Sequence, residues 1–143
     1  MQITRQADYA VRAMLYLAQH GQAARLATAE IGRAQKIPVT FLAKIMAQLS
    51  AAGLVRSTRG AHGGIALGRP AGQISLLDIV EAIDGPMLLN ECVGDPTACV
   101  MGETCPVHDV WCEAQAELVD RLGRTTFAQL AAARPTAPAL QPA

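Results

Sequence analysis

Four cysteines stand at positions 92, 99, 105 and 112, a C-x6-C-x5-C-x6-C series, and His108 follows the third of them by three residues. Thiolates and imidazoles are ligands for zinc and for iron–sulfur cores, and a thiol can also be an oxidant's target. Structural zinc sites favour tight C-x2-C knuckles, and this chain has none. Widely spaced thiolates on a loop containing glycine and proline can instead wrap a larger inorganic core. Spacing alone leaves three chemistries open: a cluster, a zinc ion, or a thiol pair that senses oxidants. Cys112 directly follows Trp111 in a helical stretch, where it reads as a buried small residue or as a replacement ligand.

A second chemistry is cationic. Residues 1–70 carry nine Lys or Arg against Asp8 and Glu30, a net charge of +7, and residues 71–143 carry three Arg against ten acids, a net charge of −7. The formal total of zero therefore hides a basic half suited to phosphates joined to an acidic half with another task. Within the basic half, Arg56-Ser57-Thr58-Arg59-Gly60-Ala61-His62-Gly63-Gly64 sets two arginines beside a glycine turn. Glycine lets a backbone turn tightly and approach another surface closely. Arg59 at the tip of such a turn suits a narrow minor groove, and Arg56, Gly60, His62 and Gly63 join it as candidate DNA contacts.

The elements that must carry these residues follow from periodicity. From Gln6 to Gln19, Ala7, Ala10, Val11, Met14, Leu15 and Ala18 recur at helical spacing, and Gly21 ends the run. Thr28 is placed to cap a short second helix holding Ile31, which stops near Lys36-Ile37-Pro38. The spacing predicts a third helix whose apolar run goes from Phe41 to Ala52, with Pro38 where it would begin or just before, Thr40 as another possible cap, and Gly53 as its stop. Leu42, Ile45 and Leu49 mark its core side. Thr40, Ala43, Lys44 and Ala47 fall opposite, and Phe41 joins them at the helix start as candidate DNA-reading residues. Two helices joined by a short turn form a helix-turn-helix. A strand from Leu54 to Thr58 and a returning strand from Ile65 to Gly68 then form a wing. Ser75 and Asp78 have capping-box spacing for a helix from Leu76 to Ile83.

Residues 85–106 read as a loop holding three of the four cysteines. From Val107 onward, Val107, Val110, Trp111, Ala114, Leu118 and Leu122 form a stripe close to heptad spacing. A small winged body has little surface to cover such a helix, and a second copy of the same helix covers it most simply. The expected architecture is mainly α with a small β-hairpin wing. A winged helix-turn-helix domain spans 1–84, the cysteine loop 85–106, a dimerisation helix with a short terminal helix 107–132, and a Pro- and Ala-rich disordered tail 133–143.

The chain resembles the IscR/NsrR-like family of bacterial winged-helix iron–sulfur transcription regulators over roughly residues 1–130. The likeness is carried by Met1-Gln2-Ile3-Thr4 through Asp8-Tyr9-Ala10-Val11, by Gly53-Leu54-Val55, and by Arg59-Gly60 with Gly63-Gly64. Ile79-Val80-Glu81-Ala82-Ile83 and the three-cysteine loop complete it. The resemblance implies a homodimer crossed through the long helix, a near-palindromic double-stranded DNA operator, and a 2Fe-2S or 4Fe-4S cluster on Cys92, Cys99 and Cys105. It offers two fourth ligands. His108 matches members that use a histidine shortly after the third cysteine. Asp8 matches members that use an aspartate of the first helix, donated by the partner chain. Cys112 ranks behind both. Two features depart from the pattern: one extra residue between Cys92 and Cys99, and the additional Cys112.

A sequence-specific regulator, a repressor by resemblance, whose DNA affinity follows redox, nitric oxide or iron supply is the reading these residues favour. A cluster-free repressor answering to thiol chemistry or a metabolite is its main rival. A redox enzyme is disfavoured by the basic winged half and the missing substrate-site signatures. With 51% hydrophobic and 17% charged residues the chain can build a core, although only 3% aromatics make that core aliphatic. No apolar run reaches the roughly 18 residues of a membrane span. Arg5, Asp8 and Arg12 interrupt what a signal peptide would need, so a reducing cytoplasm is the expected compartment.

Overall fold

The computed structural model describes residues 2–133; the tail expected at 133–143 lies, from residue 134 on, outside the described residues. Helix α1 (Arg5–Gln19) is capped by Thr4, whose hydroxyl accepts from the Ala7 amide, and it buries Ala7, Ala10, Ala13, Met14 and Leu17. Helix α2 (Thr28–Gln35) and helix α3 (Val39–Ala51) follow. Lys36 ends α2 in the left-handed region at φ 55°, where the chain reverses. The turn needs Gly32, because a Cβ there would sit 2.9 Å from the Ile37 carbonyl oxygen. The Ile37 amide donates to Gly32 O at 2.9 Å and closes it.

Two expected caps are corrected. Helix α3 begins two residues before Phe41, with Pro38 at the cap position, so Thr40 lies in the first turn and caps nothing. Proline's fixed φ is already helix-compatible and its missing N–H costs nothing at a helix start. Thr28 is likewise the first residue of α2, behind Ala27, and makes no capping bond.

Strands β1 (Val55–Thr58) and β2 (Gly64–Leu67) pair antiparallel, with Val55 opposite Leu67 and Thr58 opposite Gly64. Leu26 adds a third rung by exchanging both backbone bonds with Ile65 at 2.9 and 2.7 Å. Helix α4 (Leu76–Asp84) carries the full capping box between Ser75 and Asp78. The segment expected as loop is partly ordered into turns: helix α5 (Glu91–Gly94) and two 3-10 turns at Pro96–Ala98 and Gly102–Thr104. Asn90 and Asp95 supply the side-chain oxygens that start the first two of these three elements.

Helix α6 (Pro106–Arg124) packs on α4 and α5 and has no fully buried residue. Ala114, Leu118 and Leu122 are half-buried, whereas Val107, Val110 and Trp111 are exposed. Helix α7 (Phe127–Ala132) turns away from α6 and packs on α1, tied in by Leu76 N to Thr125 O at 2.8 Å and Phe127 N to Ile74 O at 2.9 Å. Phe127 is fully buried and belongs to the same core cluster as the buried residues of α1. Phe127→Ala is therefore expected to lower stability by about 3–5 kcal/mol, read as a drop in the urea midpoint at unchanged slope. A loss below about 1 kcal/mol would show that α7 is not part of the winged body.

Candidate nucleic-acid interface and cysteine loop

Helix α3 turns Leu42, Ile45, Met46 and Leu49 into the core. Thr40, Phe41, Ala43, Lys44 and Ala47 are all exposed on the other side, and Phe41 keeps 49% of its surface open. Small residues on this outer side let the helix axis come close to another surface, and Lys44 adds a charge there. A cleft runs between α3 and the hairpin, lined by Thr28, Ala43, Met46, Ala47, Ser50, Ser57 and Ile65.

The wing tip is shaped by two glycines. Gly60 adopts φ +106°, and the Gly63 amide donates to Gly60 O at 3.0 Å. A Cβ on Gly63 would fall 2.1 Å from the Thr58 carbonyl oxygen, so no other residue fits there without moving the strand. Arg56, Arg59 and His62 are exposed. The ion pairs among the described residues are Arg12–Asp8 and Arg124–Asp120, so no carboxylate neutralises Lys44, Arg56 or Arg59. A helix with a small-residue outer face beside an unneutralised, glycine-turned arginine hairpin is suited to a groove and its phosphates.

The cysteines line the path from α4 to α6. Cys92 lies within α5 and is half-buried, Cys99 follows the Pro96–Ala98 turn and is exposed, and Cys105 is the half-buried cap residue of α6. Asp95 starts the middle turn, and the Thr97 hydroxyl, followed by its amide, holds that carboxyl below its usual range. Gln115 of α6 fastens the irregular segment leading into the loop. Its Oε1 accepts from the Leu89 amide at 2.8 Å, and its amide nitrogen donates to the Met87 carbonyl. Nothing in the sequence pattern marked Gln115 for this task.

The candidate fourth ligands fall in different places. His108 is in the first turn of α6, and its Nε2 lies 3.5 Å from the Cys112 sulfur one turn on. Its Nδ1 is buried and has no hydrogen-bond partner among the described residues. Asp8 is in the first turn of α1, pairs with Arg12 at 3.5 Å, and lines an apolar groove with Ile3, Val11, Leu76, Val80, Met87, Leu118 and Leu122. All four cysteines are free thiols. In kind, this donor set fits an iron–sulfur core: three partly accessible thiols and an imidazole nitrogen in need of a partner. Among the described residues no three Cys, His, Asp or Glu side chains converge in this conformation. No described helix is long and apolar enough to cross a membrane.

Comparison with known proteins bears on both regions. The family model described as "Rrf2: Iron-dependent Transcriptional regulator" matches residues 3–133. A Mycobacterium tuberculosis protein, described provisionally as an HTH-type transcriptional regulator, is 37% identical over 131 residues, covering 92% of this chain and 81% of that one. The HTH-type transcriptional regulator IscR of Vibrio vulnificus is 34% identical over 130 residues, covering 91% and 77%. Among solved structures, CymR, the global cysteine regulator of B. subtilis, superposes with a TM-score of 0.79 at 26% identity, covering 92% of this chain and 96% of that one.

Proposed function

We propose a function that proceeds from one premise: this chain belongs to the Rrf2 family and is a DNA-binding transcriptional regulator of winged-helix fold, not an enzyme. On that premise we read it as a homodimeric, cluster-sensing repressor. The observation that carries the DNA half of the reading is the unneutralised pair of α3 and wing. In this reading α3 enters the major groove with Thr40, Phe41, Ala43 and Lys44 foremost. The wing brings Arg59, Gly60, His62 and Gly63 at its tip to the neighbouring minor groove, and Arg56 on its strand toward the phosphates alongside.

Cys92, Cys99 and Cys105 would hold the iron–sulfur core, with His108 as the fourth ligand in preference to Asp8 or Cys112. The orphaned Nδ1 of His108 supports that choice. In the tautomer whose Nε2–H donates to the Cys112 sulfur, Nδ1 is the nitrogen with the free lone pair. When bound, such a cluster supplies redox chemistry and reaction with oxygen or nitric oxide, and it is lost when iron is short. The chain's own residues do the rest. Cys105 and His108 are in or beside the first turn of α6, so holding them together with Cys92 and Cys99 fixes the loop against that helix. Gln115 carries the constraint to residues 87–89, and α4 links α6 to α1 and α3. The loop thereby sets the angle at which α6 presents the winged body. Two recognition helices must meet grooves about one helical turn apart. A small change of angle can then remove part of the roughly 4–10 kcal/mol that separates specific from non-specific binding.

A second reading, a cluster-free thiol-responsive repressor, is favoured by the four free thiols that do not converge and by the likeness to a cysteine regulator. Anaerobic purification with iron and sulfide analysis and a visible spectrum separates the two. A coloured protein whose DNA affinity changes on cluster removal supports the first; a colourless one whose affinity responds to thiol oxidation supports the second. For the interface, Arg59→Ala is expected to cost roughly 1–3 kcal/mol of operator affinity and to reduce the slope of log K against log salt by about 1. Unchanged affinity and slope would remove the wing tip from the footprint.

A further inference from the structure

We propose that Arg25, Arg56 and Arg69 form an anion cradle on the outer side of the wing, and that its ligand is a DNA backbone phosphate flanking the site the wing tip occupies. The inference rests on the DNA-binding reading and extends it to a surface that neither α3 nor the hairpin tip provides.

Side chains alternate across a strand, so the hairpin has two faces. Ser57 and Ile65 face the cleft beside α3. Arg56, Thr58 and Ala66 face the other way, into a separate polar hollow of about 360 Å³ that Gln22, Arg25 and Arg69 also line. Each wall of that hollow is built rather than incidental. Gly64 adopts φ +147°, and a Cβ there would sit 2.9 Å from the Leu26 carbonyl oxygen. Its absence lets Leu26 bridge to Ile65, which brings Arg25 to the edge of the hairpin. The Gln22 side chain uses both ends of its amide on the opposite wall. It donates to Arg69 O at 3.1 Å and accepts from Ala71 N at 3.2 Å, fixing the turn that carries Arg69.

Three guanidinium groups around one concavity repel one another unless an anion joins them. Among the described residues no Asp or Glu lines this hollow, and none of its arginines is in an ion pair. Guanidinium forks match the oxygen geometry of phosphate. The hollow adjoins the wing, so a duplex held at the wing tip presents its own phosphates there in a dense row. That favours the DNA backbone over free phosphate as the source.

The test uses the full chain and the Arg25→Gln/Arg69→Gln variant. The operator is selected from a random-sequence duplex pool and trimmed by footprinting. One duplex ends where wing-tip protection ends, and a second continues for about one further helical turn. On the longer duplex the variant is expected to bind about tenfold more weakly than the parent, with a salt slope smaller by about 1–2. On the shorter duplex the two proteins should agree within about twofold. Equal binding by parent and variant on both duplexes overturns the cradle, as does an equal loss on both. Inorganic phosphate that perturbs the arginine side-chain resonances of the parent, while the variant binds the long duplex normally, assigns the hollow to free phosphate and also overturns it. A parent chain that binds neither duplex overturns the DNA reading itself, and the cradle with it.

Discussion

Cys105→Ala, purified without oxygen, is expected to lose nearly all the iron and sulfide of the parent protein and its visible absorption. Cys105 is the cap residue of α6, yet its side chain makes no capping bond, so removing the sulfur takes away no hydrogen bond from the helix. It is also only half-buried, which keeps the packing loss small. The stability of the winged body should therefore stay within about 1 kcal/mol of the parent, and the loss reports ligation rather than unfolding. Cys92→Ala and Cys99→Ala should behave alike. His108→Ala should weaken retention of the cluster, while Asp8→Ala should leave it in place, because Asp8 is exposed on α1 and already paired with Arg12. Cys112→Ala tests the neighbour of His108. Freed from the sulfur, the ring loses its orientation, and losing a group that orients a ligand costs about 10–100-fold in metal affinity. A Cys105→Ala protein as rich in iron and sulfide as the parent would end the cluster reading and leave thiol chemistry as the sensor.

What could be read from the sequence, and what could not, divides along the range of the forces involved. The amphipathic helix α1, the Ser75–Asp78 capping box and the wing at Arg59-Gly60 depend on residues a few positions apart, and each is present, although the buried face of α1 is centred on Ala13 and Leu17 rather than on Val11, Leu15 and Ala18. Of the two starts the sequence left open for α3, Pro38 prevailed: the helix begins directly after it, and Thr40, a hydroxyl ahead of an apolar run and so a common cap signal, already lies inside the first turn. The short turns at 91–98 depend on Asn90 and Asp95, which the glycine and proline content of the segment obscured. Phe127 entering the core, Gln115 holding residues 87–89 and Gln22 holding the 69–71 turn are long-range pairings that no local pattern encodes. His108 and Cys112 are four residues apart, neighbours on a helix face, so their contact was legible as a pair. Weighing them as rival ligands concealed it.

Substitution of Val110 by aspartate together with Trp111 by alanine is expected to turn a dimer into a monomer and to lower operator affinity by about 10²–10⁴-fold. Both side chains are exposed in the single chain, at 58% and 40%, so the winged body loses almost no packing when they change. They lie with Val107 on a side of α6 that no described element of its own chain covers. A large aromatic, two valines and the apolar groove beside Leu118 and Leu122 make a surface too contiguous for a solvated helix face. A charge at its centre would have to be buried unpaired in a dimer, at a cost that exceeds what the remaining contacts return. The monomer keeps α3 and the wing intact, so it still binds one half-site, with the salt dependence of one half-site. What it loses is the second half-site held at high effective concentration, which is also what would make affinity depend on the angle set by the cysteine loop. Sedimentation gives the mass and a gel shift gives the affinity. A variant that stays dimeric, or a monomer that binds the whole operator as tightly as the parent, would show that α6 does not couple the two winged bodies.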